Sequence, residues 1–212
     1  MEIIRELSES LQKGDRKRVA ELTGKAISEK IDTKTILDDG LIAGMSVVGE
    51  KFKVHEIFLP DVLLAAKAMY AGMDLLKPLL IKDGIPTIGK VVIGTVQGDL
   101  HDIGKNLVTI MLRGAGFEVI DLGNDVSPGR FVEMAEKENA DVLGMSALLT
   151  TTMPVMKSVI DLAKGRELLR KTKIIVGGAS VSSEYAREIG ADAYCFDGVS
   201  AVEFVKKSVG RA

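Results

Sequence analysis

The 212-residue sequence predicts a helical N-terminal part followed by a parallel α/β part. Up to about Ile81, apolar residues recur every three or four positions and β-branched runs are few, which is typical of amphipathic helices. The segment "KDGIPTIGK" then breaks this period with glycine and proline. After it, short β-branched runs alternate with helical stretches to the C-terminus, as in consecutive βα units. These observations predict a helical domain at 1–83, a linker at 84–90 and an α/β domain at 91–212.

The helical part contains amphipathic stretches joined by short connections, which predicts a small antiparallel four-helix bundle. Gly14 can cap the end of the first helix, and Pro60 suits the first turn of the last. The predicted helices are "EIIRELSESLQKG", "GDRKRVAELTGKAISEK", "DTKTILDDGLIAGMSVVGEKF" and "LPDVLLAAKAMYAGMDLLKPLL".

The α/β part contains five predicted strands, and most of them are followed by an amphipathic stretch. The strands are apolar without alternation, which indicates burial on both faces of a parallel sheet. Five βα units fit a flavodoxin-like, doubly wound sheet of order 2-1-3-4-5 better than a six-stranded dinucleotide fold. The predicted strands are "KVVIGTV", "EVIDL", "DVLGMSA", "KIIVGG" and "DAYCF".

Composition excludes several classes of function. The net charge of -2 comes from 28 basic and 30 acidic residues, without the basic stripe that binds nucleic acid. No apolar run approaches the roughly 18 residues of a membrane span, so we expect no membrane partner and a cytoplasmic location. The single cysteine, Cys195, excludes an intrachain disulfide and a cysteine cluster for zinc or iron–sulfur.

The predicted strand order also locates the ligand site. Open parallel sheets bind ligands beyond the carboxyl ends of the strands, where the strand order reverses, here between strands 1 and 3. Strand 1 runs into "GDLHDIGKNL", strand 3 into "SALLTTT" and strand 4 into "GGA". Without side chains, the glycines of "GGA" would let a bulky group approach the backbone.

His101, in "GDLHDIGKNL", has several possible roles. The loop is not a phosphate loop, because Gly98 and Gly104 are too far apart for that motif and Asn106 replaces its hydroxyl residue. The dinucleotide fingerprint is also absent. A loop histidine without a special task remains an alternative. Asp99, two residues earlier, favours a metal ligand, because it can fix one ring nitrogen and leave the other free. One histidine is too few for a bare ion, which points to a metal held in a macrocycle.

Three motifs then resemble a known family. The pattern D-x-H-x-x-G is met by Asp99, His101 and Gly104, S-x-L by Ser146 and Leu148, and the glycine pair by Gly177-Gly178. This resembles the cobalamin-binding signature of methionine synthase, the B12-dependent mutases and the small corrinoid proteins of methyl-transfer systems. "GMSVVGEKF" and "IFLPDVLLAAKAM" resemble the four-helix cap that precedes the cobalamin domain of methionine synthase.

The resemblance covers nearly the whole chain, which is therefore similar to the stand-alone corrinoid proteins of methanogens and acetogens. It implies that the cofactor, cobalamin or a related corrinoid, alternates between methylcobalamin and cob(I)alamin. A substrate-specific methyltransferase would supply the methyl group, and a second would pass it to tetrahydrofolate, tetrahydromethanopterin or coenzyme M. A reductive activator would restore the cobalt. No turnover by this chain alone is expected.

The resemblance also implies roles for individual residues. The benzimidazole of the cofactor would be displaced and His101 would take the lower axial position on cobalt, with Asp99 on its other nitrogen. Thr152, where methionine synthase has serine, would complete a proton relay. Ser146 and Thr150 would contact the displaced nucleotide tail, for which Gly94, Gly177, Gly178 and Ala179 would leave room. The remaining expected cofactor contacts in these loops are Gly98, Leu100, Asp102, Ile103, Gly104 and Leu148.

In the cap, Phe52 and Leu59 match the apolar side chains that cover the upper face of the cofactor, and Asp38 takes the place of a nearby glutamate. The cap must swing aside for each partner enzyme, with 84–90 as the hinge. Two other functions remain possible at this point. One is a cobalamin-dependent sensor or regulator, and the other is a flavodoxin-like or receiver-like module that binds no corrinoid.

Overall fold

The computed structural model describes residues 2–85, 87–166 and 171–210, so that Pro86 of the predicted linker lies outside them. The chain forms two compact units, one helical and one α/β. The first comprises Met1–Thr87 with Gly114–Gly116, and the second comprises Ile88–Arg113 with Phe117–Ala212. No helix in the described ranges is both long enough and apolar enough to cross a bilayer.

The helical unit contains the four predicted stretches in the expected order. Its core is made of fully buried side chains such as Leu7, Leu22 and Met69. The third stretch differs from the prediction, because it is not one α-helix but contains a π-helix at Ile36–Ile42 between two α-helical pieces. The helices are α1 Glu2–Gln12, α2 Arg16–Ser28, α3 Thr33–Thr35, α4 Ala43–Lys53 and α5 Leu59–Lys82.

The α/β unit is a five-stranded parallel sheet of order β2-β1-β3-β4-β5, which confirms the predicted topology. Its strands are β1 Lys90–Thr95, β2 Glu118–Asp121, β3 Val142–Ser146, β4 Lys173–Gly177 and β5 Ala193–Tyr194. Its helices are α6 Ile103–Gly114, α7 Pro128–Glu138, α8 Pro154–Lys164, α9 Ser183–Ile189 and α10 Gly198–Ser208.

Burial follows the position of each strand in the sheet. The central strands β1, β3 and β4 are buried along most of their length, as predicted. The prediction was wrong for the edge strands: β2 exposes Glu118 and Asp121, and β5 is only two half-buried residues long. An edge strand pairs on one side only, so it needs fewer apolar residues, and a short edge limits pairing with other chains.

Cys195 follows β5 and is buried as a free thiol. Burial, with a smaller contribution from the Asp197 carboxylate, raises the pKa of the Cys195 thiol to about 12. We expect iodoacetamide to alkylate Cys195 roughly a hundredfold more slowly in the folded protein than in urea, measured by mass spectrometry. Equal rates in the two states would contradict this burial.

Candidate functional site

The carboxylate of Asp99 lies at the centre of the loop after β1 and is fully buried. Its Oδ1 accepts the backbone N–H of His101 at 3.0 Å and lies 2.7 Å from Nδ1 of the same residue. Its Oδ2 accepts the N–H of Leu148 at 2.7 Å and the N–H of Leu149 at 3.2 Å. The Thr152 hydroxyl lies 3.1 Å from the same Oδ2 and 2.9 Å from the Leu149 carbonyl oxygen, and its single proton can be donated to either. One oxygen therefore holds the histidine loop, and the other holds the loop after β3.

These hydrogen bonds fix the tautomer of a neutral His101 ring. Burial alone would raise the pKa of Asp99. The hydrogen bonds from the backbone of His101 and Leu148, the His101 ring and the Leu149 backbone outweigh this, so the pKa is well below its ordinary value. An ionised carboxylate only accepts, so the Nδ1 of a neutral His101 ring must carry the proton and Nε2 keeps its lone pair. About half of the side chain, 53%, is exposed, which makes the ring accessible to a ligand.

The residues around His101 present an open apolar surface. Leu100 and Ile103 leave 70% and 76% of their areas exposed. Asp102 is half-buried, and its backbone carbonyl accepts the Asn106 N–H at 2.7 Å as α6 begins. A methyl group added at Gly104 would meet no atom within 4 Å. The protein's own packing therefore does not require this glycine, and the space beside it is open.

A third loop, between β2 and α7, also holds the loop that carries His101. The sequence did not predict a role for this third loop. The Asp125 carboxylate accepts the N–H of Gly98 at 2.7 Å, and the Asp125 N–H donates to the Asp99 carbonyl at 3.1 Å. Asn124 donates to the Leu100 carbonyl at 3.4 Å. The signal was available, because the polar run "DLGND" follows strand 2, the neighbour of strand 1 in the predicted order.

The loop after β3 places the other predicted residues at the same edge of the sheet. Ser146 lies between Thr95 and Gly177 in register across the three central strands, and alternation puts all three on one face. Leu148 is partly exposed, and its carbonyl accepts the Ser180 hydroxyl from the loop after β4. Thr150 is exposed on the loop surface.

The glycines expected to leave room for a nucleotide tail are packed against the protein itself. A Cβ at Gly94 would lie 2.9 Å from the Phe131 ring, so the expectation of open space there was wrong. A Cβ at Gly177 would lie 2.8 Å from the Cys195 carbonyl oxygen, and one at Gly178 would lie 2.0 Å from that of Ala147. Close backbone approach therefore explains the absence of a side chain at Gly177 and Gly178, and their contact with a cofactor stays a prediction.

The predicted residues of the helical unit are all half-buried. Phe52 lies in the last turn of α4, and Leu59 is the first residue of α5. Asp38 lies in the π-helix and is paired with Lys34, one turn earlier. Segments of π-helix are frequent at functional sites. The role of these three residues toward a cofactor stays a prediction.

Comparison with known proteins identifies the family. Residues 89–205 and 3–77 each match a B12 binding domain. A corrinoid protein of Desulfitobacterium hafniense is 42% identical over 100% of this chain and 99% of its own length. The dimethylamine corrinoid protein of Methanosarcina barkeri is 42% identical over 97% of both chains. The methanol:cobalamin methyltransferase complex of M. barkeri contains a chain that superposes with a TM-score of 0.89 at 31% identity, covering 100% of this chain and 81% of that one.

The residues of the site fit such a cofactor. His101 offers one nitrogen lone pair, which suits a metal whose other ligands come from a macrocycle. The space beside Gly104, three residues after His101, is open to such a group. A module that binds no corrinoid is excluded by the family matches. The chain belongs to the corrinoid proteins, with two B12-binding modules and cobalamin or a related corrinoid as its cofactor.

Proposed function

We propose that this protein holds its corrinoid with His101 as the lower axial ligand and carries a methyl group between two methyltransferases. When bound, the corrinoid supplies a cobalt centre that can accept a methyl group and give it up again. The geometry that carries the proposal is the 2.7 Å contact between His101 Nδ1 and the buried Asp99 carboxylate, which leaves Nε2 for the metal.

Within this proposal, each residue of the site has a specific role. Asp99 orients the His101 ring, the Leu148 and Leu149 amides help to hold Asp99 in its ionised form, and the Thr152 hydroxyl beside its Oδ2 completes a proton relay. Ser146 and Thr150 contact the nucleotide tail. Further contacts to the cofactor come from Gly98, Leu100, Asp102, Ile103, Gly104, Leu148, Gly177 and Gly178, and from Asp38, Phe52 and Leu59 in a cap formed by 1–83.

The partners proposed for the chain follow from its relatives. The similar solved chain comes from a complex with a methanol methyltransferase, and other relatives are dimethylamine and trimethylamine corrinoid proteins. We therefore assign this chain a substrate-specific methyltransferase, a second methyltransferase and a reductive activator, all in the cytoplasm. The segment 84–90 is the hinge that lets the cap move aside for each partner enzyme.

The first test is the ligand of the cobalt. Wild-type protein and His101→Ala, both prepared with ¹⁵N-labelled histidine, are mixed with hydroxocobalamin without air and desalted. Their absorption spectra are compared, and their electron paramagnetic resonance spectra are compared after one-electron chemical reduction of the cobalt to paramagnetic Co(II). We expect wild type to retain the corrinoid with one axial nitrogen from the protein, and His101→Ala to lose that nitrogen. His55→Ala, the variant of the other histidine, is the matched control and should behave as wild type. Identical spectra for His101→Ala and wild type would exclude His101 as the ligand.

The second test is methyl transfer. The loaded, reduced protein is mixed with purified methanol, monomethylamine, dimethylamine or trimethylamine methyltransferase and the isotope-labelled substrate. The carrier function is supported if one of these enzymes transfers label to the wild-type protein and transfers it more slowly to His101→Ala. A protein that retains corrinoid but accepts no label from any of these donors contradicts a carrier function in these systems.

A further inference from the structure

Lys105 is a buried lysine in the first turn of α6, with 3% of its area exposed. Burying an ammonium group is unfavourable, and the free N–H groups at the start of a helix repel a cation. Asp121, at the end of β2, compensates both effects, because its oxygens accept from Lys105 Nζ at 2.6 and 2.5 Å. The Asn106 side-chain oxygen lies 2.7 Å from the same ammonium. A buried ion pair is weak evidence for stability, so its function is sought in what its hydrogen bonds hold in place.

Hydrogen bonds connect this ion pair to the main chain of His101. Asp121 Oδ1 also accepts the Gly123 N–H at 2.9 Å, and the Gly123 carbonyl accepts the Thr95 N–H at 2.9 Å. The Thr95 hydroxyl, fully buried, then donates to the His101 carbonyl at 3.0 Å. Asp99 holds the His101 side chain and is itself held by the loop after β3. The second set of hydrogen bonds, through Gly123 and Thr95, holds the His101 backbone and starts from the end of β2.

We propose that Lys105 and Asp121 are positioning residues, which fix the loop after β2 and, through Gly123 and Thr95, the conformation of the His101 loop. Because Gly123 opens the segment that carries Asn124 and Asp125, loss of the ion pair also loosens their bonds to Leu100 and Gly98. The consequence for metal ligation rests on the proposed function. The effect of the ion pair on the order of the His101 loop does not rest on the proposed function, because this order can be measured without a cofactor.

The first measurement is amide hydrogen exchange in the cofactor-free, full-length protein. In Lys105→Met we expect the His101 and Leu148 amides, both bonded to Asp99, to exchange about tenfold faster or more, while Met145 in the centre of the sheet is unchanged. The matched control is Lys157→Met, which breaks the exposed Lys157–Asp161 pair on α8 and should leave all of these rates unchanged. Wild-type rates at His101 in Lys105→Met would overturn the proposal.

A double variant separates position from stability. Lys105→Met combined with Asp121→Leu removes both charges, so no unpaired charge is buried and the fold should be retained. Because Asp121→Leu removes the acceptor of the Gly123 N–H, we expect the His101 amide to exchange fast in this variant too. A return to the wild-type exchange rate would mean that the ion pair acts only on stability, and would overturn the proposal.

The second measurement follows the consequence in the corrinoid-loaded protein. In protein whose histidines carry ¹⁵N, electron paramagnetic resonance of the one-electron-reduced cobalt reports the fraction of molecules with an axial histidine nitrogen. We expect this fraction to fall by at least about half in Lys105→Met relative to Lys157→Met, as a loosened loop holds the ring less often in place. Equal fractions would overturn this consequence. If the wild type retains no corrinoid, the proposed function fails, and hydrogen exchange still decides the role of the ion pair.

Discussion

Replacing Asp99 with asparagine is expected to lower the free energy of unfolding by about 3 kcal/mol or more. The amide has nearly the same shape as the carboxylate but only one acceptor oxygen. Whichever way it is turned, its NH₂ group faces backbone donors that Asp99 now satisfies, either the N–H of His101 or the N–H groups of Leu148 and Leu149. Because the side chain is fully buried, water cannot replace the lost bonds.

Urea unfolding of wild type and Asp99→Asn measures this loss, with the exposed Asp161→Asn as a control that should unfold as wild type does. The pH dependence gives a second check. The folded-state pKa of Asp99 lies below its unfolded value, so its contribution is complete above about pH 5 and is lost as the pH falls below about 4. Wild type should lose more stability than Asp99→Asn between pH 5 and 3. A loss below about 1 kcal/mol at neutral pH would show that Asp99 is not the central acceptor.

Gly178→Ala is expected to destabilise the protein by about 3 kcal/mol or more. The backbone of Gly178 has φ +118°, a conformation that side chains rarely adopt, and a Cβ there would lie 2.0 Å from the Ala147 carbonyl oxygen. The backbone fixes the positions of both the Cβ and the carbonyl oxygen, so rotation of a side chain cannot relieve this contact. Relief requires the ends of β3 and β4 to separate, close to the Leu148 amide that holds Asp99.

The matched control is Gly129→Ala in the first turn of α7. A Cβ at Gly129 meets no atom within 4 Å, so the gain in helix propensity should stabilise the protein by up to about 1 kcal/mol. Thermal unfolding of both variants separates the two effects. If Gly178→Ala unfolds at the wild-type temperature, the carboxyl ends of β3 and β4 can move apart without a loss of stability.

The sequence predicted those features that depend on local pattern or on the rules of parallel sheets. Runs such as "KVVIGTV" predicted buried central strands, and the βα alternation predicted the order that brings the loops after β1 and β3 together. The two-residue spacing of Asp99 and His101 predicted their hydrogen bond, because a loop of this length lets the side chains meet.

Other features depend on contacts that no local pattern shows. The sequence "ILDDGLI" has an ordinary helical period, and nothing in it indicates the π-helix. No local pattern indicates the burial of Lys105, and only the fold places Asp121 beside it. Gly94 reads as an open position because the ring of Phe131, far along the chain, is invisible at that stage.

The double role of Asp99 also determines when the site can first exist during synthesis of the protein. One carboxylate oxygen binds groups at residue 101, and the other binds groups at residues 148–152. Contacts so distant in sequence form only after β1 and β3 have paired, and such contacts are slow to form. A nascent chain that ends before Leu148 therefore lacks the amides that hold Asp99 Oδ2. Under the function proposed here, the histidine is ready for the cobalt only after β1 and β3 have paired.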